Sequence, residues 1–431
     1  MTRQARFSSL FALLVLCAGL GLRLWQPSLI EFKWDEAYMF AATQGSAGHT
    51  PFPALGMPSG AAGLLNPGLS IWIFSAPAQL FGLSSPEALS RYVGLSFIAT
   101  LALLLVYITR STWLRNDEKI AWFAAIALSA ANPVLLLFTR KIWAQSLLPI
   151  FGIAIFVLWM ERKKRPSLRI LLAFLCVLIG QIHMSGFFLG AALMLVEVRD
   201  VFLKRATLGP LLVGGIVGCL PMIAWLQEIF VGSGASKING ALGMHRGAWP
   251  EFLKFRYWSY AASFGSGLNF SSSLGSHLAA FLERPLVLGA LVCSAALVLT
   301  VLIASLRALA QSPRAWLRTI FSMSAFDEFR PSSQLVWIAL VLCGALMTLS
   351  NVRIHRHYLI LVTPLLAFAF ARLAQRLFPR HALVGLSLYT ILQLLVSFEM
   401  IRFLDLNHGA PGADFGVAYK YQSDFEKERL P

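Results

Sequence analysis

Four groups of residues in this chain are of types and spacings that can do chemistry. The first, Glu31-Phe32-Lys33-Trp34-Asp35-Glu36-Ala37-Tyr38, joins paired carboxylates to two aromatic residues. Acids are favoured at a helix N-cap and first turn. Held at a membrane interface by Trp34 and Tyr38, the same acids also face any polar head that arrives from the lipid. The second is Arg140-Lys141, a pair that can snorkel to lipid phosphates or bind one specifically. The third is Gln181-Ile182-His183-Met184-Ser185, where His183 is either a packed, hydrogen-bonded residue or a participant in chemistry. The fourth, Asn351-Val352-Arg353-Ile354-His355-Arg356-His357-Tyr358, sets two arginines and two histidines within five residues. Arginine suits bidentate phosphate binding, and histidine adds charge or a hydrogen bond. A carboxylate such as Asp35 or Glu36 can take a proton from an acceptor hydroxyl. Fixed cations can stabilise charge growing on a departing phosphate. That division of labour suits transfer of a sugar from a lipid phosphate, because the leaving group is a phosphate monoester with a second pKa of about 6.

The elements that must position these groups follow from composition. The chain has 431 residues, 57% of them hydrophobic and 13% charged, against about 25% charged in a soluble domain. Its apolar residues fall in runs of roughly 17–25, the length that crosses a bilayer. A soluble enzyme, a disordered chain and a disulfide scaffold are excluded, and the fold class expected is all-α, polytopic and transmembrane. The net charge of +16 sits mostly in short loops between apolar runs, so topology accounts for it and no nucleic-acid partner is expected. The five cysteines (Cys17, Cys176, Cys219, Cys293 and Cys343) lie inside apolar runs without ligand spacing. Neither a metal nor a cofactor is therefore expected. Arg3 and Arg6 precede a first apolar stretch with no small-residue cleavage site, which reads as a retained helix.

Spanning helices are expected at about 8–24, 88–109, 119–138, 143–160, 168–182, 184–198, 208–227, 285–308, 334–350, 357–376 and 382–401. The stretch 68–83 is apolar but short, and Pro77 interrupts it. Laying it along the interface puts the Arg3/Arg6 terminus on the same side as Arg162-Lys163-Lys164-Arg165 and every other basic loop. This gives eleven spans, long external loops at 25–87 and 228–284, and residues 402–431 as a short external tail appended to a 1–401 membrane domain. All four chemical groups then share the external face. Within 228–284, Phe252, Phe255, Tyr257, Trp258 and Tyr260 interleave with Lys254 and Arg256, a pattern that fits interfacial anchoring or stacking on sugars.

These residues resemble a known family. Asp35-Glu36-Ala37-Tyr38 after the first helix is similar to the corresponding stretch of GT-C membrane glycosyltransferases. The nearest likeness is to bacterial relatives of dolichyl-phosphate-mannose–protein mannosyltransferases and to lipid A aminoarabinose transferases. Asn66-Pro67, the stretch ending Phe81-Gly82, Leu89-Ser90-Arg91, Gln181-x-His183-x-Ser185 and Arg356-His357-Tyr358-Leu359 through Pro364 carry the resemblance further. It implies Asp35 as catalytic carboxylate with Glu36 beside it, and first-loop helices lying on the membrane surface. It also implies a polyprenyl-phosphate sugar donor, inversion at the anomeric carbon, and no nucleotide-sugar site. The acceptor would be a lipid, glycan or protein, met at the periplasmic face of the bacterial inner membrane. Arg140, Lys141, His183, Arg353, His355, Arg356, His357 and Tyr358 are the candidates for the donor phosphate. One departure is Leu65-Asn66-Pro67-Gly68, where relatives often have His-Pro-Pro or Lys-Pro-Pro. The competing class is a transporter or lipid flippase, whose charges would line a pathway inside the spans. Here the unexplained charges lie at one face.

Overall fold

The computed structural model describes residues 1–58, 65–231, 255–265, 270–313, 331–350 and 354–422. The fold is predominantly helical. Among the described residues, eight helices are long and apolar enough to cross a membrane: Arg3–Leu24, Pro86–Arg110, Ala144–Glu161, Leu208–Glu228, Pro285–Gln311, Pro331–Leu349, Arg356–Leu377 and Ala382–Leu406. Shorter or more polar helices complete the bundle. In chain order the elements near the site are α1 (Arg3–Leu24), α2 (Trp34–Gln44), α3 (Leu69–Phe81), α4 (Pro86–Arg110), α5 (Asn116–Ala131), α6 (Pro133–Phe138), α7 (Leu148–Glu161), α8 (Leu168–Ile182) and α9 (Met184–Phe202). A 3₁₀ turn, Arg356–Val362, leads into Thr363–Leu377.

The stretch 119–138, expected as one span, is broken. Pro133 has no N–H to continue the ladder, and Asn132 Oδ1 caps the new start by accepting from Val134 N at 2.9 Å and Leu135 N at 3.0 Å. The break turns α6 away from α5 and delivers Thr139, Arg140 and Lys141 to the end of α1. There Arg23, buried, donates from Nε to Thr139 Oγ1 at 2.8 Å and from Nη1 to Ala130 O at 3.0 Å.

α3 has 13 residues, a rise of about 20 Å against a hydrocarbon core of about 30 Å. Both its ends are tied to the first loop. Trp72 Nε1 donates to Pro53 O at 2.8 Å near the start, and Gln44 Nε2 donates to Leu83 O at 2.9 Å beyond the end. The opposite end of the bundle gathers Tyr107, Trp113 and Glu161, with Tyr107 Oη 2.6 Å from Glu161 Oε1. α9 carries Glu197 deep in the protein, where Arg169 reaches it at 2.8 Å and Arg162 also binds it. A buried carboxylate is tolerated there because two guanidiniums satisfy it.

Two expectations are corrected. Residues 402–422 are not an appendage: β1 (Gly409–Ala410) pairs with β2 (Gly416–Val417), and Ala418 bridges to Glu31. Tyr419 N donates to Ile30 O at 3.0 Å and Gln422 Nε2 to Phe32 O at 2.6 Å, so the tail is woven into the first loop. In the 228–284 aromatic cluster, Tyr257 is fully buried and donates to Ala339 O, while Trp258 Nε1 donates to Leu340 O at 2.8 Å. Tyr257 is thus committed to packing on the Pro331–Leu349 helix and is neither an anchor nor a stacking ring, whereas Trp258 is only half-buried and Phe255 is exposed. Phe252 and Lys254 lie outside the described residues.

Candidate functional site

An open cleft of about 460 Å³ lies where α2, the α6–α7 connection, the 3₁₀ turn at Arg356 and the tail meet. α2 owes its start to its own sequence. Glu36 Oε2 accepts from Lys33 N at 3.1 Å, closing the first turn, and acids in that turn suit the helix dipole. This geometry turns Asp35 and Glu36 toward different partners.

Glu36 is buried and its other oxygen lies 3.4 Å from Lys141 Nζ. The same ammonium lies 2.7 Å from Glu31 Oε2 and 4.5 Å from the Trp143 ring centroid. Glu31 in turn holds Lys33 Nζ at 2.7 Å. Burial alone would lower the Lys141 pKa, but the Glu31 and Glu36 carboxylates outweigh it and raise the value, keeping Lys141 charged. Asp35 also lines the cleft, half-buried, with no hydrogen bond or ion pair among the described residues. Burial raises its pKa above that of an ordinary aspartate, although Lys141 and Lys33 pull the other way.

The opposite wall carries His355, Arg356 and His357. Arg356 Nη2 donates to Asp414 Oδ2 at 2.6 Å, while its Nη1 is buried without a hydrogen-bond partner among the described residues. Lys33 Nζ donates to the carbonyl oxygen of Asp414. His357 lies against Trp143, with ring centroids 4.8 Å apart, and parallel to His355 at 5.5 Å.

The sequence candidates therefore divide. Asp35, Glu36, Lys141, His355, Arg356 and His357 share the cleft. Arg140 is corrected: it is buried, and Nη1 donates to Leu22 O at 2.8 Å and Trp25 O at 2.7 Å, with Nη2 donating to Gln26 O at 2.6 Å and Leu29 O at 3.1 Å. It closes the C-terminal end of α1, where unsatisfied carbonyls and the helix dipole favour a cation. His183 and Tyr358 are set one layer behind. His183 Nδ1 accepts from Ser185 N at 3.3 Å, capping α9, and its ring packs 5.6 Å from that of His357. Tyr358 is buried against His183 at 4.9 Å. Arg353 lies outside the described residues.

Sequence reasoning missed Asp414, Phe415, Ser273 and Trp143 as lining residues, and it gave Glu31 and Lys33 no site role. A signal for the tail was present. Gly409, Gly412 and Gly416 adopt φ of 109°, 79° and 72°, conformations open chiefly to glycine, so their spacing marks built turns. Among the described residues no three His, Cys, Asp or Glu side chains are grouped to hold a metal ion. Compared with known proteins, the chain matches no family model, no curated protein and no solved structure.

Proposed function

We propose that this chain is an integral membrane glycosyltransferase. In this reading it moves a sugar from a polyprenyl-phosphate donor to an acceptor at the external face of the bacterial cytoplasmic membrane, with inversion. Asp35 takes the proton of the acceptor hydroxyl as its oxygen bonds to the anomeric carbon. The bond from that carbon to the phosphate oxygen breaks, and the electron pair leaves with the phosphate. Arg356 and Lys141 offset the charge that develops there. A phosphate monoester is a stable leaving group near neutral pH, so no general acid is required.

One observation carries this reading: Asp35, the cleft carboxylate free of ion pairs among the described residues, shares a single cleft with Lys141 and Arg356. Eleven spans and a GT-C architecture belong to the same proposal. The broken helix 116–138 and the helices Leu168–Ile182 and Met184–Phe202 would join the eight long ones. The charge bias of the loops supports an external cleft.

The test is mass spectrometry of envelope glycans and lipids from a deletion strain complemented with variants. Wild type should restore a sugar-bearing product, and Asp35→Asn should lower its formation by about 10²-fold or more at normal protein level. Normal product from Asp35→Asn with loss in Glu36→Gln would reverse the assignment. A strain with unchanged glycans and lipids would end the proposal.

A further inference from the structure

The cleft is not a reservoir of free positive charge. Lys141 is held by Glu31 and Glu36, and Lys33 by Glu31 and the Asp414 carbonyl. Among the described residues four carboxylates face three cations around it, so a phosphate entering unaided would meet a surplus of these acids. One acid must withdraw. Glu31 and Glu36 are buried in ion pairs, Glu36 also closes the first turn of α2, and Asp35 lies on that helix. Asp414 differs: its side chain is 62% exposed, and it sits on the short turn between β1 and β2.

We infer that the Asp414 carboxylate occupies the phosphate subsite, and that a phosphate group displaces it from Arg356. The Asp414 carboxylate meets Nη2 alone and leaves Nη1 buried and, among the described residues, unpartnered. A phosphate, with two free oxygens in the sugar-bearing diester and three in the monoester product, can satisfy both guanidinium nitrogens at once. Asp414 is thus an internal competitor. It keeps Arg356 oriented while the cleft is open, and it re-enters as the phosphate product leaves. The identity of the lipid-linked donor rests on the function proposed above; the exchange at Arg356 needs only a phosphate.

The experiment measures binding of undecaprenyl phosphate, and separately of inorganic phosphate, to the full-length protein in nanodiscs. Hydrogen exchange of the 409–418 amides is followed in parallel. An exposed ion pair is weak, so Asp414→Asn should bind undecaprenyl phosphate about two- to five-fold more tightly, with the gain shrinking as salt is added. In wild type the lipid should speed exchange in the tail turn. In an Arg356→Lys background the Asp414→Asn gain should vanish. Equal affinities for wild type and Asp414→Asn, with tail exchange unmoved, would overturn the inference and leave the donor reading intact. Inorganic phosphate showing the Asp414 dependence while undecaprenyl phosphate fails to bind would uphold the subsite and overturn the lipid donor. Binding of neither probe would overturn both.

Discussion

Asp35 and Glu36 are neighbours with opposite circumstances. Glu36 is a structural acid, bonded to Lys33 N and facing Lys141, while Asp35 is left to face the cleft. Burial raises the Asp35 pKa, so its basic form is reached at a higher pH than for an ordinary aspartate. Transfer should therefore rise with pH through that value and then level off, and the residual rate of Asp35→Asn should lack this limb. Stability should move the other way. A carboxyl whose folded pKa is raised disfavours folding once pH exceeds its unfolded value of about 3.9. Asp35→Asn should then melt at or above the wild-type temperature at neutral pH, with the difference closing below about pH 4. A large fall in melting temperature at neutral pH would mean that Asp35 is structural.

Arg140 and Lys141 were indistinguishable as sequence, since both are cations where the topological bias disfavours them. What separates them is invisible in residue types. Arg140 meets backbone carbonyls, which every residue carries, whereas Lys141 meets acids that a sequence displays. The break at Asn132-Pro133 brings both to the end of α1, where their side chains take these different partners, and a purely apolar reading of 119–138 runs through it. Arg140→Ala would leave the carbonyls at the end of α1 without their cation. With charge-assisted hydrogen bonds worth roughly 1.5–3 kcal/mol each and not additive, the loss should be at least about 3 kcal/mol. Thermal unfolding in detergent measures it, and undecaprenyl phosphate affinity of the folded fraction should stay at the wild-type value. Weakened binding with unchanged stability would return Arg140 to the site.

Helix positions were legible because apolar runs of spanning length are the strongest signal a membrane sequence carries. The cleft was legible on the side where acids and cations break the charge pattern, at Asp35, Lys141 and Arg356. The tail wall was legible only as turns, through Gly409, Gly412 and Gly416, because a turn-bearing polar segment reads alike whether it hangs free or pairs with residues 28–32. Orientation is testable on the whole molecule. Ser84→Cys, at the cleft end of α4, should label with an impermeant thiol reagent from outside, and Lys164→Cys only after permeabilisation. The reverse pattern would turn the cleft toward the cytoplasm. The contact between Lys33 and Asp414 spans 381 positions of sequence. Chains emerge from the ribosome N-terminus first, so the first loop waits for its partner strand while the 381 positions that separate them are made. A nascent chain thus inserts its helices before it has a finished site, and a transcript cut short before Gly409 would yield an embedded protein with one wall missing. Synthesis of the 409–418 turn is itself the step that assembles the cleft.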